Sequence, residues 1–389
     1  KFSIMLMPYM LLICLAALIG ASLNTLHRFT AASLGPVWLN LSMLFSLGVL
    51  GYYFGEGIHE KTIFLCCGVL FGGFLQMTIP AYFLFKQGWK PAFTLAKSDA
   101  LNKIWLLFLP GVTGAAVLQI NVFISRGLAF YLDESTVSIL FLANRLTELP
   151  LGLFSIAVMT VIFPVLARKV SQNDTKGFAV AYEKGIFLIL LITIPASVGL
   201  YILGEKILLL LFQQGAFTVT NVNATVSVLK IYAIGLPFYS LAGFSTKGFH
   251  ALKDMKSPVK ISCFVVLLNI ALSLILMKPL GMNGLALANV IAAVIQSGWL
   301  LYKLHQKLQL SHGGLPLFET ARMIIASGAM ATSVILLSPA CMQFLEEYCQ
   351  GKMQLGLTIG TTIAIAVFVY FFVLKLLGSQ FIKIAKKSG

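Results

Sequence analysis

The chain has 389 residues, of which 59% are hydrophobic and 11% charged, with a mean hydropathy of +0.92 and a formal net charge of +15. This composition excludes an ordinary soluble domain, because the apolar residues recur in blocks of about 20, the length that crosses about 30 Å of hydrocarbon. The basic residues lie mostly between these blocks, where anionic membrane lipid attracts them, so the positive charge does not indicate a nucleic-acid partner.

The blocks predict an all-α polytopic membrane protein with about eleven spans. In chain order, the predicted spans are residues 5–24, 34–54, 62–85, 104–130, 136–167, 185–204, 225–249, 258–277, 284–304, 321–339 and 355–377. Residues 205–217 are predicted to form a separate interfacial segment that is too short to cross the membrane.

The loop cations favour one side of the membrane. Most Lys and Arg residues fall in alternate connections, around residues 28, 86–103, 168–184, 247–260, 303–322 and 375–387, whereas the opposite connections hold only Lys1, Lys61, Lys206, Lys278 and Lys352. The positive-inside rule therefore predicts a cytoplasmic C-terminus. Eleven spans that end inside must begin outside, so we expect the sequence to lack an odd number of helices upstream of Lys1.

Few ionisable residues fall inside the predicted spans, and each is costly there. Arg126 and Lys230 lie close enough to the ends of their spans to extend their charges to the interface. Arg145 and Glu148 lie deeper, where a charge costs roughly 2.5–3.5 kcal/mol on insertion scales, so they are expected to face other helices or a water-filled cavity.

The stretch ANRLTELPLG, residues 143–152, contains this deep pair. On a helix, Asn144, Arg145 and Glu148 project from neighbouring positions, and the spacing allows Arg145 and Glu148 to pair. Pro150 removes a backbone donor two residues later, which favours a kink. Two interpretations remain open: a buried ion pair that ties two helices together, or a cationic anchor for an anionic substrate, with Glu148 orienting the arginine and Pro150 acting as a hinge.

The sequence contains no pattern typical of catalysis. It has no nucleotide-binding loop, no paired carboxylates inside a span, no nucleophile–base arrangement and no metal-ligand spacing. We therefore predict neither enzyme activity nor a cofactor or metal.

Five motifs together resemble the MurJ/MviN lipid II flippase family of the MOP exporter superfamily. They are ANRLTELPLG, LFQQGAF at residues 211–217, IYAIGLP at 231–237, FHALKDMKSPV at 249–259 and GMNGLALA at 281–288, in the family's order. The resemblance implies a two-lobed MOP/MATE-like fold without its first three helices. Residues 1–97 would complete the N-terminal lobe, 98–310 would form the C-terminal lobe, and 311–389 would hold two additional helices and a basic tail.

The resemblance also implies a function and a site. Arg145 matches the family's cavity arginine, and Asn144 stands where the family often has aspartate; the family's other cavity cations lie on the first two helices. The implied activity is flipping of lipid II, linked to undecaprenyl diphosphate, from the inner to the outer leaflet of the bacterial cytoplasmic membrane. Membrane lipids and the cell-wall synthesis machinery are the further partners that it implies. The alternatives are another exporter of the superfamily, for a lipid-linked polysaccharide or a drug, and a membrane scaffold that transports nothing.

Overall fold

The computed structural model describes residues 2–26, 28–89, 119–214, 217–308, 317–346 and 351–379, and these residues are helical almost throughout. Within those ranges, ten helices are long and apolar enough to cross a membrane. They are α1 Phe2–Thr25, α2 Gly35–Tyr53, α3 Ile58–Lys86, α4 Glu134–Ser171, α5 Thr175–Phe212, α6 Val219–Ala251, α7 Lys256–Leu280, α8 Met282–Leu308, α9 Leu317–Glu346 and α10 Gly351–Leu376.

These helices confirm the predicted all-α class and match ten of the eleven predicted spans. The remaining span, 104–130, falls mostly outside the described residues, although residues 119–132 are helical. The prediction of a separate interfacial segment is wrong for residues 205–212, which form the last two turns of α5. Gly204 at the junction stays helical and packs closely against Leu229 of α6, and Leu208 is fully buried, so the helix continues where the hydropathy falls.

The chain forms two compact units, residues 1–101 and 102–389. The predicted division at residues 97 and 310 stays a prediction. In the first unit, α3 packs against both α1 and α2. Small residues make the contact between α2 and α3 close: a Cβ added at Gly72 would lie 2.9 Å from the Leu39 Cα, and one at Gly68 would lie 2.6 Å from the Ser46 Cβ.

The second unit is built around α6, which packs against α4, α5 and α8. A Cβ at Gly185 of α5 would lie 2.1 Å from the Phe244 ring of α6, so glycine is needed there. Nearby, the buried hydroxyls of Tyr182 and Ser245 lie 2.7 Å apart and join the same two helices. Helix α7 packs on α8, whereas α9 and α10 pack on each other and on α5.

Two helical hairpins of the second unit have the same design. Each turn has a non-glycine residue with positive φ, Asn173 at 54° and Lys253 at 59°, followed by an aspartate. Asp174 accepts a hydrogen bond from the Gly177 N–H at 2.7 Å, and Asp254 accepts one from the Ser257 N–H at 3.0 Å. Each carboxylate therefore caps the first turn of the following helix.

A lysine forms an ion pair with the aspartate of each turn. The Lys169 ammonium donates to Asp174 at 2.7 Å, and the Lys307 ammonium, at the end of α8, donates to Asp254 at 2.9 Å. The lysine bond, with help from the helix N–H, lowers the pKa of Asp174 below its usual value. The bond from Lys307 contributes most to lowering the pKa of Asp254 to about 2. Both carboxylates therefore stay charged at neutral pH, and Asp254 ties the α6–α7 turn to α8.

A polar cluster joins the start of α9 to the end of α10. Glu319, almost completely buried, accepts hydrogen bonds from Arg322 at 2.5 Å and from the Ser379 hydroxyl at 2.6 Å. Because a buried carboxylate is costly without partners, this cluster fixes the register of the two C-terminal helices at one end.

We expect Gly72→Ala to destabilise the first unit by roughly 1–3 kcal/mol, because the new methyl group would meet the backbone of Leu39. Gly199→Ala is the matched control, since a Cβ at Gly199 of α5 has no heavy atom within 4 Å. The control should be neutral, or more stable by up to about 1 kcal/mol, because alanine favours helix over glycine. Unfolding of the purified protein in detergent measures both changes, and equal effects of the two substitutions would contradict the predicted close packing.

Candidate functional site

The first half of α4 has two different faces. Asp133 caps the helix by accepting a hydrogen bond from the Ser135 N–H at 2.9 Å. The buried residues of this half recur at helical spacing and point toward α6; they are Thr136, Ile139, Ala143, Leu146 and Thr147. The exposed face between them carries Phe141, Asn144, Arg145 and Glu148. Packing against α6 therefore decides that the polar residues face away from the core of the second unit.

Asn144, Arg145 and Glu148 form a connected group, which we call the polar triad. The Arg145 Nη1 donates to the Glu148 Oε2 at 3.0 Å, and the Asn144 Nδ2 donates to the Glu148 Oε1 at 2.8 Å. Both carboxylate oxygens thus accept a hydrogen bond from the same helix. The structure brings together the three residues that the sequence predicted as neighbours.

Phe141 is a fourth member of this face that the sequence analysis missed. The Arg145 guanidinium carbon lies 5.2 Å from the centroid of the Phe141 ring, within the range of a cation–π interaction. The sequence contained a usable signal, because an aromatic residue four positions before an arginine lies one helical turn away on the same face. The ring limits the positions that the guanidinium can take.

In the part of the chain that the structure describes, the Arg145–Glu148 pair joins residues of one helix and does not tie two helices together. Both residues belong to α4, and 62% of the Arg145 side chain and 48% of the Glu148 side chain are exposed. Arg145 lies eleven positions after the start of α4 at Glu134, roughly 17 Å along the helix axis. An exposed ion pair at this depth costs little free energy when it faces a hydrated cavity and much more when it faces lipid chains.

Pro150 ends the first regular part of α4 directly after the triad, and the second regular part begins at Ile156. Proline has no N–H to donate to the carbonyl of Leu146, so the ordinary hydrogen-bond ladder is interrupted. The chain then makes a π-helical turn, Leu151–Ser155, in which the Ile156 N–H donates to the Leu151 carbonyl five residues back. The buried Ser155 hydroxyl lies 2.8 Å from that of Ser240, which holds this wide turn against α6. Turns of this kind often occur at functional positions in helices.

The other charged residues within helices are separate from the triad in their contacts. Lys230 places its ammonium 5.6 Å from the centroid of the Tyr201 ring, and Arg126 is exposed on the helical stretch 119–132. Lys206, which the sequence analysis placed in a loop, lies within α5 and donates a hydrogen bond to Ser338 of α9. In the part of the chain that the structure describes, no three His, Cys, Asp or Glu side chains are grouped as metal ligands.

Comparison with known proteins identifies the family of this chain. The family model described as "Lipid II flippase MurJ" matches residues 1–358. A probable lipid II flippase MurJ of Vibrio cholerae is 32% identical over 373 residues, which cover 95% of this chain and 70% of that protein.

Solved structures agree with the sequence match. A lipid II flippase MurJ in an inward closed conformation is similar with a TM-score of 0.78 and 26% identity, covering 97% of this chain and 74% of that one. An inward-facing MATE family transporter of the MOP superfamily shares the fold with a TM-score of 0.67 at 15% identity, covering 79% of this chain and 71% of that one. These similarities confirm the predicted two-lobed transporter fold, and the chain belongs to the lipid II flippase MurJ family.

Proposed function

We propose that this chain flips lipid II from the inner to the outer leaflet of the membrane, and that Arg145 binds the diphosphate of the lipid. The chain is a multi-pass protein of the bacterial inner membrane, and its relatives are named for this activity. The observation that carries the proposal is an exposed guanidinium deep in a membrane-spanning helix, beside a carboxylate that holds it from one side.

The geometry of the triad leaves part of the guanidinium free for a ligand. Among the contacts of the described residues, Arg145 donates to Glu148 through Nη1 alone. Its Nε and Nη2 therefore remain for phosphate oxygens, which a guanidinium binds in a bidentate manner. Because Arg145 and Glu148 together carry no net charge, binding depends on these directed N–H groups rather than on a general excess of positive charge.

Asn144 and Glu148 act as positioning residues in this proposal. Asn144 donates to one oxygen of Glu148, while Arg145 donates to the other. An aspartate at position 144 could not donate in this way at neutral pH and would repel Glu148. Asparagine is therefore the residue type that fits beside this carboxylate.

The wide turn after Pro150 supplies a place where α4 can bend. In alternating access, the site opens first to one side of the membrane and then to the other, and hinges of a few residues absorb the change. The polar headgroup crosses within the protein while the undecaprenyl chain stays in lipid, because unaided passage of the diphosphate through hydrocarbon would be prohibitive. No covalent bond is made or broken.

We also propose an orientation for the chain. The C-terminus would lie in the cytoplasm, since the basic side includes Lys169 and Lys307, in the last turns of α4 and α8. Membrane lipids surround the helices, and the cell-wall synthesis machinery is the proposed partner that uses the flipped lipid. The other two functions are less well supported: the similarity to a MATE transporter is one of fold, and the family match does not favour a scaffold that transports nothing.

We expect Arg145→Lys to weaken lipid II binding about 10- to 100-fold, because a charge-assisted hydrogen bond is worth about 1.5–3 kcal/mol. Arg145→Ala should abolish transport, and Glu148→Gln should reduce it less, since the amide oxygen still accepts from Arg145. Lipid II titration of the purified variants measures binding, and Arg168→Ala, at the exposed end of α4, is the matched control.

Melting temperatures separate this role from a structural one. An exposed ion pair contributes about 0–1 kcal/mol, so the Arg145 variants should melt close to the parent protein. A structural pair predicts a loss of roughly 3–5 kcal/mol. An Arg145→Ala protein that melts far lower and still binds lipid II would contradict the anchor role.

We expect Pro150→Ala to slow transport while leaving lipid II binding and folding intact. Alanine restores the backbone donor at position 150 and favours a regular helix through the wide turn. Pro164→Ala is the control, because Pro164 lies in the same helix without a π-helical turn after it. Appearance of the lipid II headgroup at the outer surface of cells measures the rate, and an unchanged rate for Pro150→Ala would reduce this proline to a packing residue.

Cysteine labelling tests the orientation. Cysteines introduced at Lys176, Lys256 and Lys386 should be protected from an impermeant external thiol reagent, and cysteines at Glu134 and Glu347 should react. Lys386 and Glu347 lie outside the described residues. Permeabilised cells provide the control in which all five positions react. Labelling of both sets in intact cells would refute the proposed topology.

A further inference from the structure

The first unit contains a cavity of about 600 Å³ at one of its ends. The connection that follows α1, the start of α2 and the end of α3 meet there, because the chain reverses direction between successive spans. A volume of this size lies within the range of about 300–1,000 Å³ that is typical of ligand pockets. Its walls come entirely from residues 28–87 and include none of the polar triad.

Two cations line the cavity, and none of the acids that the structure describes lies beside them. Arg28 follows α1, and Lys86 is the last residue of α3. The described acidic residues of this unit, Glu56 and Glu60, lie at its opposite end, where α3 begins. The Lys86 ammonium lies 5.7 Å from the centroid of the Tyr82 ring, and no carboxylate among the described residues forms an ion pair with it or with Arg28. The cavity therefore favours an anion.

Neutral hydrogen-bonding groups accompany these cations. Thr30 and Gln87 line the cavity, and so does Trp38. The Nε1 of Trp38 is buried and has no hydrogen-bond acceptor in the structure. This atom is closed off from solvent, so the neutral groups that the cavity offers to a ligand are the Thr30 hydroxyl and the Gln87 amide.

The remaining wall is apolar. Leu34, Ile79 and Phe83 line it, and Leu34 and Phe83 are also exposed at the surface of the unit, 40% and 45% respectively. An apolar wall that continues to an exposed apolar surface suits an acyl chain. A ligand that matches both halves of the cavity has a phosphate at one end and a hydrocarbon chain at the other.

We propose that this cavity binds an anionic membrane phospholipid through its phosphodiester headgroup. Arg28 and Lys86 would contact the phosphate oxygens, and the acyl chain would follow Leu34 and Phe83. Basic pockets between membrane helices near the cytoplasmic surface bind lipid headgroups by this chemistry. The site does not depend on lipid II binding at Arg145, because the cavity and the triad belong to different units and each is tested with a different lipid.

Binding to the purified chain in detergent tests the proposal, with dioctanoyl phosphatidylglycerol as the probe and native mass spectrometry as the readout. One phosphatidylglycerol should bind at least about tenfold more tightly than dioctanoyl phosphatidylcholine, which has the same chains but no net charge. The double variant Arg28→Gln, Lys86→Gln should lose at least about tenfold in affinity, about 1.4 kcal/mol. The control Lys61→Gln, Lys278→Gln removes the same charge from two exposed lysines outside the cavity and should bind as the parent does.

A second variant keeps both cations and reduces the space. Ala31→Leu places a larger side chain in the cavity wall and should weaken phosphatidylglycerol binding while leaving the melting temperature close to that of the parent. Equal loss in the control and cavity double variants would show general electrostatic attraction and overturn the proposal. So would equal affinity for phosphatidylcholine, or unchanged binding in Ala31→Leu.

Competition with soluble phosphates shows whether the cavity binds the phosphate of a lipid or a free phosphate. Glycerol phosphate and inorganic phosphate should compete with phosphatidylglycerol at least about tenfold more weakly than the lipid binds, because they gain nothing from the apolar wall. Competition at the affinity of the lipid itself would show that the cavity takes a soluble phosphate and would refute a lipid site.

Discussion

The cost of a charge inside hydrocarbon governs the candidate site. Arg145 lies deep in a membrane-spanning helix, so its charge requires compensation even before any substrate binds. Glu148 supplies the opposite charge, Asn144 holds Glu148, and the Phe141 ring lies beside the guanidinium. All four residues are on one helix, so the compensation is local and does not require a second helix to stay in place. A transporter benefits from this arrangement, because its helices can move without breaking the pair.

The need to satisfy backbone groups in the membrane explains the wide turns beside these residues. Unpaired N–H and C=O groups are costly in lipid, so helices that bend must keep their hydrogen bonds by other means. The turn after Pro150 does so through bonds five residues apart and through Ser155. Helix α2 has a similar turn, Ser46–Leu50, in which the Ser46 hydroxyl donates to the Phe64 carbonyl of α3. Each unit therefore contains a π-helical turn held by a buried serine.

The sequence predicted most of the helices, because each span is a block of apolar residues longer than the surrounding polar connections. It failed at the end of α5, where Glu205 and Lys206 lowered the hydropathy although the helix continued. A contact with a distant residue, Ser338, accommodates the Lys206 charge, and spacing along the chain cannot reveal such a contact. The π-helical turn after Pro150 could be expected from the proline. The π-helical turn at Ser46 could not, because no proline directly precedes it.

The sequence predicted that the residues of the candidate site are neighbours. It did not predict that they lie on an exposed face. The three- and four-residue spacings of Asn144, Arg145 and Glu148 require that they meet on a helix. Whether that face is buried depends on which side of α4 packs against α6, and this is decided by the combined fit of Ile139, Ala143 and their partners. The cavity beside Arg28 and Lys86 could not be predicted from the sequence either, because these two residues come together only when the helices of the first unit pack.

The most direct measurement of the central claim is the distance between Arg145 and the phosphorus atoms of bound lipid II. Solid-state NMR of the protein with ¹⁵N-labelled arginine, using the natural ³¹P of the lipid, can observe it, with Arg145→Lys to assign the signal. A charge-assisted hydrogen bond of about 2.8 Å to a phosphate oxygen predicts a nitrogen–phosphorus distance of about 4 Å. Lipid II that binds and shows no such contact with Arg145 would contradict the claim that this residue holds the diphosphate.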